Sequence, residues 1–333
     1  MSGGNIDFFI VRGYSCNIRQ YYLDWSILFM KRIILDTDMG SDCDDCGALA
    51  VIHNLCKEGK CELLAVMCNI ANKFSPIAIK SINNWYGKSD VPIAQTNGKL
   101  FENDENSMVF TKTLAEEYLS NNPTPVVENA VMLYRKILAT YNDVTIISIG
   151  FMSNLAELLN SKPDDISPFD GVELVKKSVN KIYIMGGNFS GNEEQAEYNV
   201  RMDINSARTV AECLPVSAVY VGWEAGVNVR TGHTLWYENQ DSPVKKSYEL
   251  FARHYNSLKE DGTYDRPSWD PLTAYYAITD DSTFIEESEK CTVNFDKLGF
   301  TKISNNGKDS YIIVKDIKKA EETIEKYIST ESL

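Results

Sequence analysis

The stretch Ile33-Ile34-Leu35-Asp36-Thr37-Asp38-Met39-Gly40-Ser41-Asp42-Cys43-Asp44-Asp45 constrains this chain more than any other. A short apolar run stops abruptly and delivers five carboxylates within ten residues. Carboxylates packed so tightly repel one another, and folding raises their pKa values unless a cation sits among them. Hard divalent cations take oxygen ligands, so the cluster reads first as a metal site. Cys46 to Leu55 follows with the small and apolar spacing of a buried helix. A strand, an acidic turn and a helix in succession place the carboxylates at the carboxyl end of a strand, where open α/β sheets bind ligands.

Two other acidic motifs fit less well. A calcium loop of the EF-hand kind needs a preceding helix and a Glu at its twelfth position. Here a β-branched strand precedes, and the twelfth residue counted from Asp36 is Gly47. A phosphatase of the haloacid dehalogenase type places its nucleophile in an Asp-x-Asp at a strand end, but wants Thr or Val soon after the second Asp. Met39-Gly40-Ser41 stands there instead.

The stretch resembles the opening motif of the inosine/uridine-preferring nucleoside hydrolase family, a strand leading into Asp-x-Asp-x-Gly-x-Asp-Asp and a small-residue helix. In this chain two residues, Asp42-Cys43, are inserted ahead of the Asp pair, with no role assignable from the pattern. Four further segments resemble the family in the right order: Cys68-Asn69; Ile149-Gly150-Phe151-Met152-Ser153-Asn154-Leu155; Met185-Gly186-Gly187 followed by Glu197-Tyr198-Asn199; and Ser268-Trp269-Asp270-Pro271. Taken singly these are ordinary. Asp270-Pro271 also has the form of a helix N-cap with Pro in the first turn, and Asn69 and Asn199 suit local backbone bonds.

The resemblance implies a role for each residue. Asp38, Asp45, Asp270 and the Ile149 carbonyl bind Ca²⁺, and Asp38 takes the proton from the attacking water. Asp44, Asn69, Glu197 and Asn199 hold ribose hydroxyls, with Asn188 on the 5′ side. Asp36 orients the loop. Some family members place a His before the late metal-binding Asp; this chain has Trp269, which matches purine-preferring members that stack the base on an indole. Trp269 also suits a core position covering a helix start. Of the three His residues (His53, His233, His254), only His254 lies where it could reach a leaving base.

Net charge of −14 argues against nucleic-acid and anionic-membrane partners, since phosphate binding needs clustered Lys and Arg. No apolar run approaches the ~18 residues of a membrane span. Eight cysteines lack paired zinc-type spacing. Cys43-Asp44-Asp45-Cys46 is a poor redox pair because its acidic neighbours raise thiol pKa. The thiols therefore read as reduced and the protein as cytoplasmic. Residues 1–29 lack the ordered features of a signal peptide and read as an N-terminal extension ahead of a single domain over 30–333.

Strand-like and helix-like segments alternate along that domain, which predicts an α/β fold: an open, mostly parallel, Rossmann-like central sheet flanked by helices. Helices are expected over Pro76–Trp85, Val126–Tyr141, Asn154–Asn160 with Ser153 as cap, Asn205–Cys213, Trp269–Ile278 and Ile317–Ile328. Residues 98–125 are expected as loop near the site mouth, with 228–265 as a second part of that mouth in which 240–262 reads as helical and then mobile. The expected activity is Ca²⁺-dependent hydrolysis of ribonucleosides, purines preferred, in a homo-oligomer (dimer or tetramer by family analogy). The alternatives are an N-ribohydrolase of another ribosylated small molecule and a non-catalytic metal-dependent nucleoside or sugar binder.

Overall fold

The computed structural model describes residues 30–40, 42–192 and 194–329; the expected extension over 1–29 lies outside them. The strands are β1 (Lys31–Thr37), β2 (Cys61–Cys68), β3 (Ile93–Gln95), β4 (Glu128–Asn129), β5 (Val144–Ser148), β6 (Val179–Met185), β7 (Ala218–Val221), β8 (Arg230–Thr231), β9 (Arg266–Pro267), β10 (Ile285–Glu287), β11 (Cys291–Phe295), β12 (Thr301–Asn305) and β13 (Ser310–Val314). The helices are α1 (Asp44–Lys57), α2 (Ser75–Trp85), α3 (Thr111–Leu119), α4 (Ala130–Thr140), α5 (Ser153–Asn160), α6 (Gly171–Ser178), α7 (Tyr198–Met202), α8 (Ile204–Cys213), α9 (Trp223–Gly226), α10 (Pro243–His254), α11 (Trp269–Thr279) and α12 (Ile317–Ile328).

Nine strands form the central sheet in the order β10-β13-β7-β6-β5-β1-β2-β3-β4, parallel throughout except that β10 runs antiparallel to β13. The chain builds outward from β1 to β4, then returns to β5 on the other side of β1. That reversal opens a crevice at the carboxyl ends of β1 and β5, the place where open α/β sheets bind ligands.

Because successive side chains of a strand point to opposite faces, a sheet covered on both sides reads as a continuous apolar run. Ile33 and Leu35 enter the core on the α1, α2, α10 and α11 face, while Ile34 enters the core under α4, α5, α6 and α8. The terminal helix α12 spans the expected residues and buries Ala320, Ile324, Tyr327 and Ile328.

Several local expectations need correction. Residues 98–125 are not all loop: a short 3₁₀ turn at Asn106–Met108 leads into α3, which buries Leu114, Ala115 and Tyr118. The helix expected from Val126 starts at Ala130, because Asn129 caps it by accepting from the Met132 amide at 2.9 Å. Ser153 is the first residue of α5 and not its cap; Met152 holds that position, and no side chain caps the helix. Asp270 lies inside the first turn of α11, with Ser268 at the cap position, so the cap reading of Asp270 falls. The β11–β12 hairpin was not anticipated at all.

Candidate functional site

The end of β1 and the end of β5 meet across the crevice. In register, Asp36 pairs with Ser148, and the Ile149 amide donates to the Asp36 carbonyl at 2.8 Å. Gly150 makes the approach possible: a Cβ there would lie 2.5 Å from the Asp38 amide nitrogen and 2.6 Å from Asp38 Oδ1. Gly40 turns the chain away at φ +137°, a conformation that side chains resist. Two residues further on, Asp42 leads into α1, whose first turn carries Asp44 and Asp45. α11 packs on α1 and brings Asp270 to the same point.

Asp36 faces away from the crevice. Its carboxylate accepts from Asn69 Nδ2 at 2.9 Å, Asn154 Nδ2 at 3.0 Å and the Tyr134 hydroxyl at 2.8 Å. Burial pushes its pKa up to about 7, against the pull of those three bonds. It fastens the end of β1 to the end of β2, α4 and α5. Asn69 is thereby fixed through Nδ2, its Oδ1 is buried without a partner, and it is not among the residues lining the cavity.

A cavity of about 650 Å³ opens above, lined at its base by Asp38, Asp44, Asp45, Asp270, Ile149, Glu197 and Asn199. Single carboxylate oxygens of Asp44, Asp45 and Asp270 lie within 4.8 Å of one another, all three residues buried. Asp44 Oδ2 accepts from the Asp270 amide at 3.2 Å, and Thr37 Oγ1 donates to Asp45 Oδ1. The pKa of each of the three is raised, first by burial and then by neighbouring carboxylates. Asp45 Oδ2 is buried with no hydrogen-bond partner. Stranded anionic oxygen in an all-oxygen donor set fits a hard divalent cation, so this cluster is able to hold a metal. The family resemblance groups Asp38 with the metal and Asp44 with the sugar; here Asp44 joins the tight trio, and Asp38 lines the same cavity.

Glu197 caps the short α7, accepting from the amides of Gly187, Asn199 and Val200; burial lifts its pKa to about 7. Asn199 Nδ2 donates to the carbonyls of Ile149 and Met185, each at 3.2 Å. Asn188 stands off the cavity: its amide donates to Thr301 Oγ1 on β12, and its side chain accepts from Ser190. The Cys43 and Cys46 thiols are pushed well up, by burial before any carboxylate.

Trp269, Trp223, Phe251, Tyr198 and Tyr255 form the upper wall, with Arg266 and Asp42 among them. Trp269 Nε1 donates to the Trp223 carbonyl at 2.7 Å, and Gly226 packs directly beneath the indole. None of the three His residues lines the cavity; His254 ends α10 with its ring against Tyr255, which does. Of the two stretches expected at the mouth, 228–265 supplies Phe251, Tyr255 and Ser257, and 98–125 supplies none. Arg266, Trp223 and Asp42 escaped sequence reasoning as wall residues. Only Asp42 left a signal there, as the inserted carboxylate.

Fold and site together define an open α/β protein with a buried carboxylate cluster able to hold a cation at its switch point, beside an aromatic-lined cavity the size of a small ligand. Residues 33–323 match the family model for inosine-uridine preferring nucleoside hydrolases, and the chain belongs to that family, whose members are hydrolases acting on N-glycosyl bonds. The probable uridine nucleosidase 2 of Arabidopsis thaliana is 24% identical over 193 residues, covering 55% of this chain and 56% of that protein. The chain thus spans little more than half the length of this curated relative. The inosine-uridine preferring nucleoside hydrolase of Bacillus anthracis superposes with a TM-score of 0.68 at 16% identity, over 90% of this chain and 100% of that one. A type III effector, XopQ, solved with adenosine diphosphate ribose, gives 0.68 at 16% identity over 94% and 98%. These structural likenesses establish the shared fold.

Proposed function

We propose that this chain hydrolyses the N-glycosidic bond of ribonucleosides to free base and ribose, with Ca²⁺ as its metal and purines preferred. The buried Asp44–Asp45–Asp270 cluster, with Asp38 beside it on the cavity floor, carries this reading. Asp38, Asp45, Asp270 and the Ile149 carbonyl would hold the cation. A bound divalent cation lowers the pKa of its water and fixes its position.

The remaining chemistry belongs to the chain's own residues. Asp38 accepts the proton of the attacking water. Asp44, Glu197 and Asn199 receive ribose hydroxyls, and the negative charge of the two carboxylates favours the oxocarbenium-like ribosyl centre of such cleavages. Asn69 would hold a ribose hydroxyl through Oδ1, which has no protein partner while Nδ2 is held by Asp36, and Asn188 serves the 5′ side only if the β12 contact that holds its backbone shifts. The Trp269 indole, fixed by the Trp223 carbonyl, offers a face for stacking, worth about 0.5–1.5 kcal/mol beyond area burial. By analogy the working protein is a cytoplasmic homo-oligomer, dimer or tetramer, with residues 30–333 as one domain. Among the described residues no helix is long and apolar enough to cross a membrane.

Reducing-sugar release from inosine, adenosine, guanosine, uridine and cytidine is the test. Release that stops with chelator, returns with Ca²⁺ and drops about 10²–10⁴-fold in Asp38→Ala supports the reading. A chain that binds Ca²⁺ yet cleaves none of the five contradicts it. The effector structure with adenosine diphosphate ribose motivates a second substrate arm, ADP-ribose, read as free adenine because its terminal ribose is already a reducing sugar; adenine release there would point to another ribosylated molecule.

A further inference from the structure

The inserted Asp42 has a partner 224 residues away. Arg266, on β9, directs Nε to both Asp42 oxygens at 2.9 and 3.0 Å and pairs Nη2 with Oδ2. The same guanidinium lies 5.1 Å from the Phe251 ring centroid and 5.5 Å from that of Trp269, within contact range for a cation against an aromatic face. Asp42, Phe251, Trp269 and Arg266 all line the cavity, and Arg266 is the one cationic residue among the described residues that do.

Hydrolysis of a nucleoside leaves an electron pair on the base, and that charge needs a partner. The usual acid is missing: no His lines the cavity. The two wall phenols are poor donors of a proton, because burial lifts Tyr198 to about 12 and raises Tyr255 as well. On the N-ribohydrolase reading the Asp38, Asp44, Asp45 and Asp270 carboxylates serve the metal and the sugar. A cation fixed beside the stacking indole is therefore the group placed to meet the departing base. An unclamped Arg on a flexible stem would fold down onto Asp44 and its neighbours. The bidentate hold of Asp42 prevents that, and the Tyr264 side chain also hydrogen-bonds the guanidinium; of its five N–H donors, those not taken by these two partners remain for another acceptor.

We propose that Arg266, positioned by Asp42, is the catalytic residue of the leaving-group side, hydrogen-bonding the base as the glycosidic bond breaks. The inference rests on the N-ribohydrolase reading above. In the step, the C1′–N bond breaks with both electrons going to the base, and the water oxygen bonds C1′. One water proton passes to Asp38. Arg266 stays protonated throughout and stabilises the base anion, which then takes a proton from solvent at the open mouth; Asp38 returns its own to solvent.

The experiment compares kcat for inosine with kcat for p-nitrophenyl β-D-ribofuranoside, whose leaving group is already a stable anion. In Arg266→Gln the inosine/nitrophenyl ratio should fall about 100-fold, the usual cost of removing one preorganised donor. Arg266→Lys should recover part of that loss. Asp42→Asn should lower the same ratio less, with the Ca²⁺ concentration for half-maximal activity unchanged, as befits a positioning residue that is not a metal ligand. If Arg266→Gln is misfolded by circular dichroism, the lysine and Asp42→Asn variants carry the test. Equal losses on both substrates, at constant ratio, would overturn the assignment and leave the hydrolase reading standing. A wild-type chain that cleaves neither substrate overturns both.

Discussion

Gly226 lacks a side chain because the Trp269 indole occupies the space one would need. A Cβ there would meet Trp269 Cδ1 at 2.4 Å and its Cα at 2.7 Å, and backbone atoms do not move aside cheaply. Gly226→Ala must push α11 and the indole outward. Overpacking of this kind costs about 1–3 kcal/mol. The expected result is a KM for purine nucleosides raised several-fold along with a lower denaturation midpoint, read from steady-state kinetics and urea unfolding; unchanged KM would show that the indole does not form the base-stacking face. At this scale sequence and structure part company in a regular way. Asp44, Asp45 and Asp270 are legible because each stands in a local pattern at a strand or helix end. The Asp42–Arg266 pair is not, since two residues 224 positions apart leave no shared signature in the chain.

Among the elements, α1 and α2 are joined by a buried polar contact. His53 Nε2 lies 2.8 Å from Asn83 Oδ1, and its ring stacks on Tyr86 at 4.7 Å. Burial pulls the His53 pKa down to about 4, so the folded state keeps the ring neutral while the unfolded chain protonates near pH 6.5. A depressed histidine pKa means that the unfolded state binds the extra proton; its stability contribution is complete above pH 6.5 and fades as pH falls toward 4. Urea unfolding of wild type and His53→Gln across that window should differ in slope by up to one proton, about 1.36 kcal/mol per pH unit. Parallel curves would place the proton elsewhere. Element scale is also where the sequence reading was strongest. α12 carries a clear helical period, and the strands β1, β2, β5 and β6 read as short continuous apolar runs. Its failures have physical causes: the polar surface of α3 masks a helix that buries few residues, and the β11–β12 hairpin falls outside the strand–helix alternation that organised the rest.

For the molecule as a whole, charge decides what the cavity will accept. The chain carries −14 overall, and six of the residues lining the cavity are carboxylates: Asp38, Asp42, Asp44, Asp45, Glu197 and Asp270. Arg266 is committed to Asp42, and a divalent cation offsets two more charges, so the floor stays negative with metal bound. A neutral nucleoside enters such a field without penalty, whereas the phosphate of a nucleoside 5′-monophosphate carries its charge toward it. At ~10 Å in a water-filled mouth, a dianion facing two or three net charges meets roughly 2 kcal/mol of repulsion. Inosine 5′-monophosphate should therefore show kcat/KM about 10–100-fold below inosine. The gap should narrow as ionic strength rises from 0.01 to 0.5 M, since added salt shortens the screening length below that separation. A gap that ignores salt would mean that shape at the 5′ side, and not charge, excludes the phosphate. Equal turnover of the two would require a second cation near the 5′ position, and Arg266 would then have to leave Asp42 to supply it.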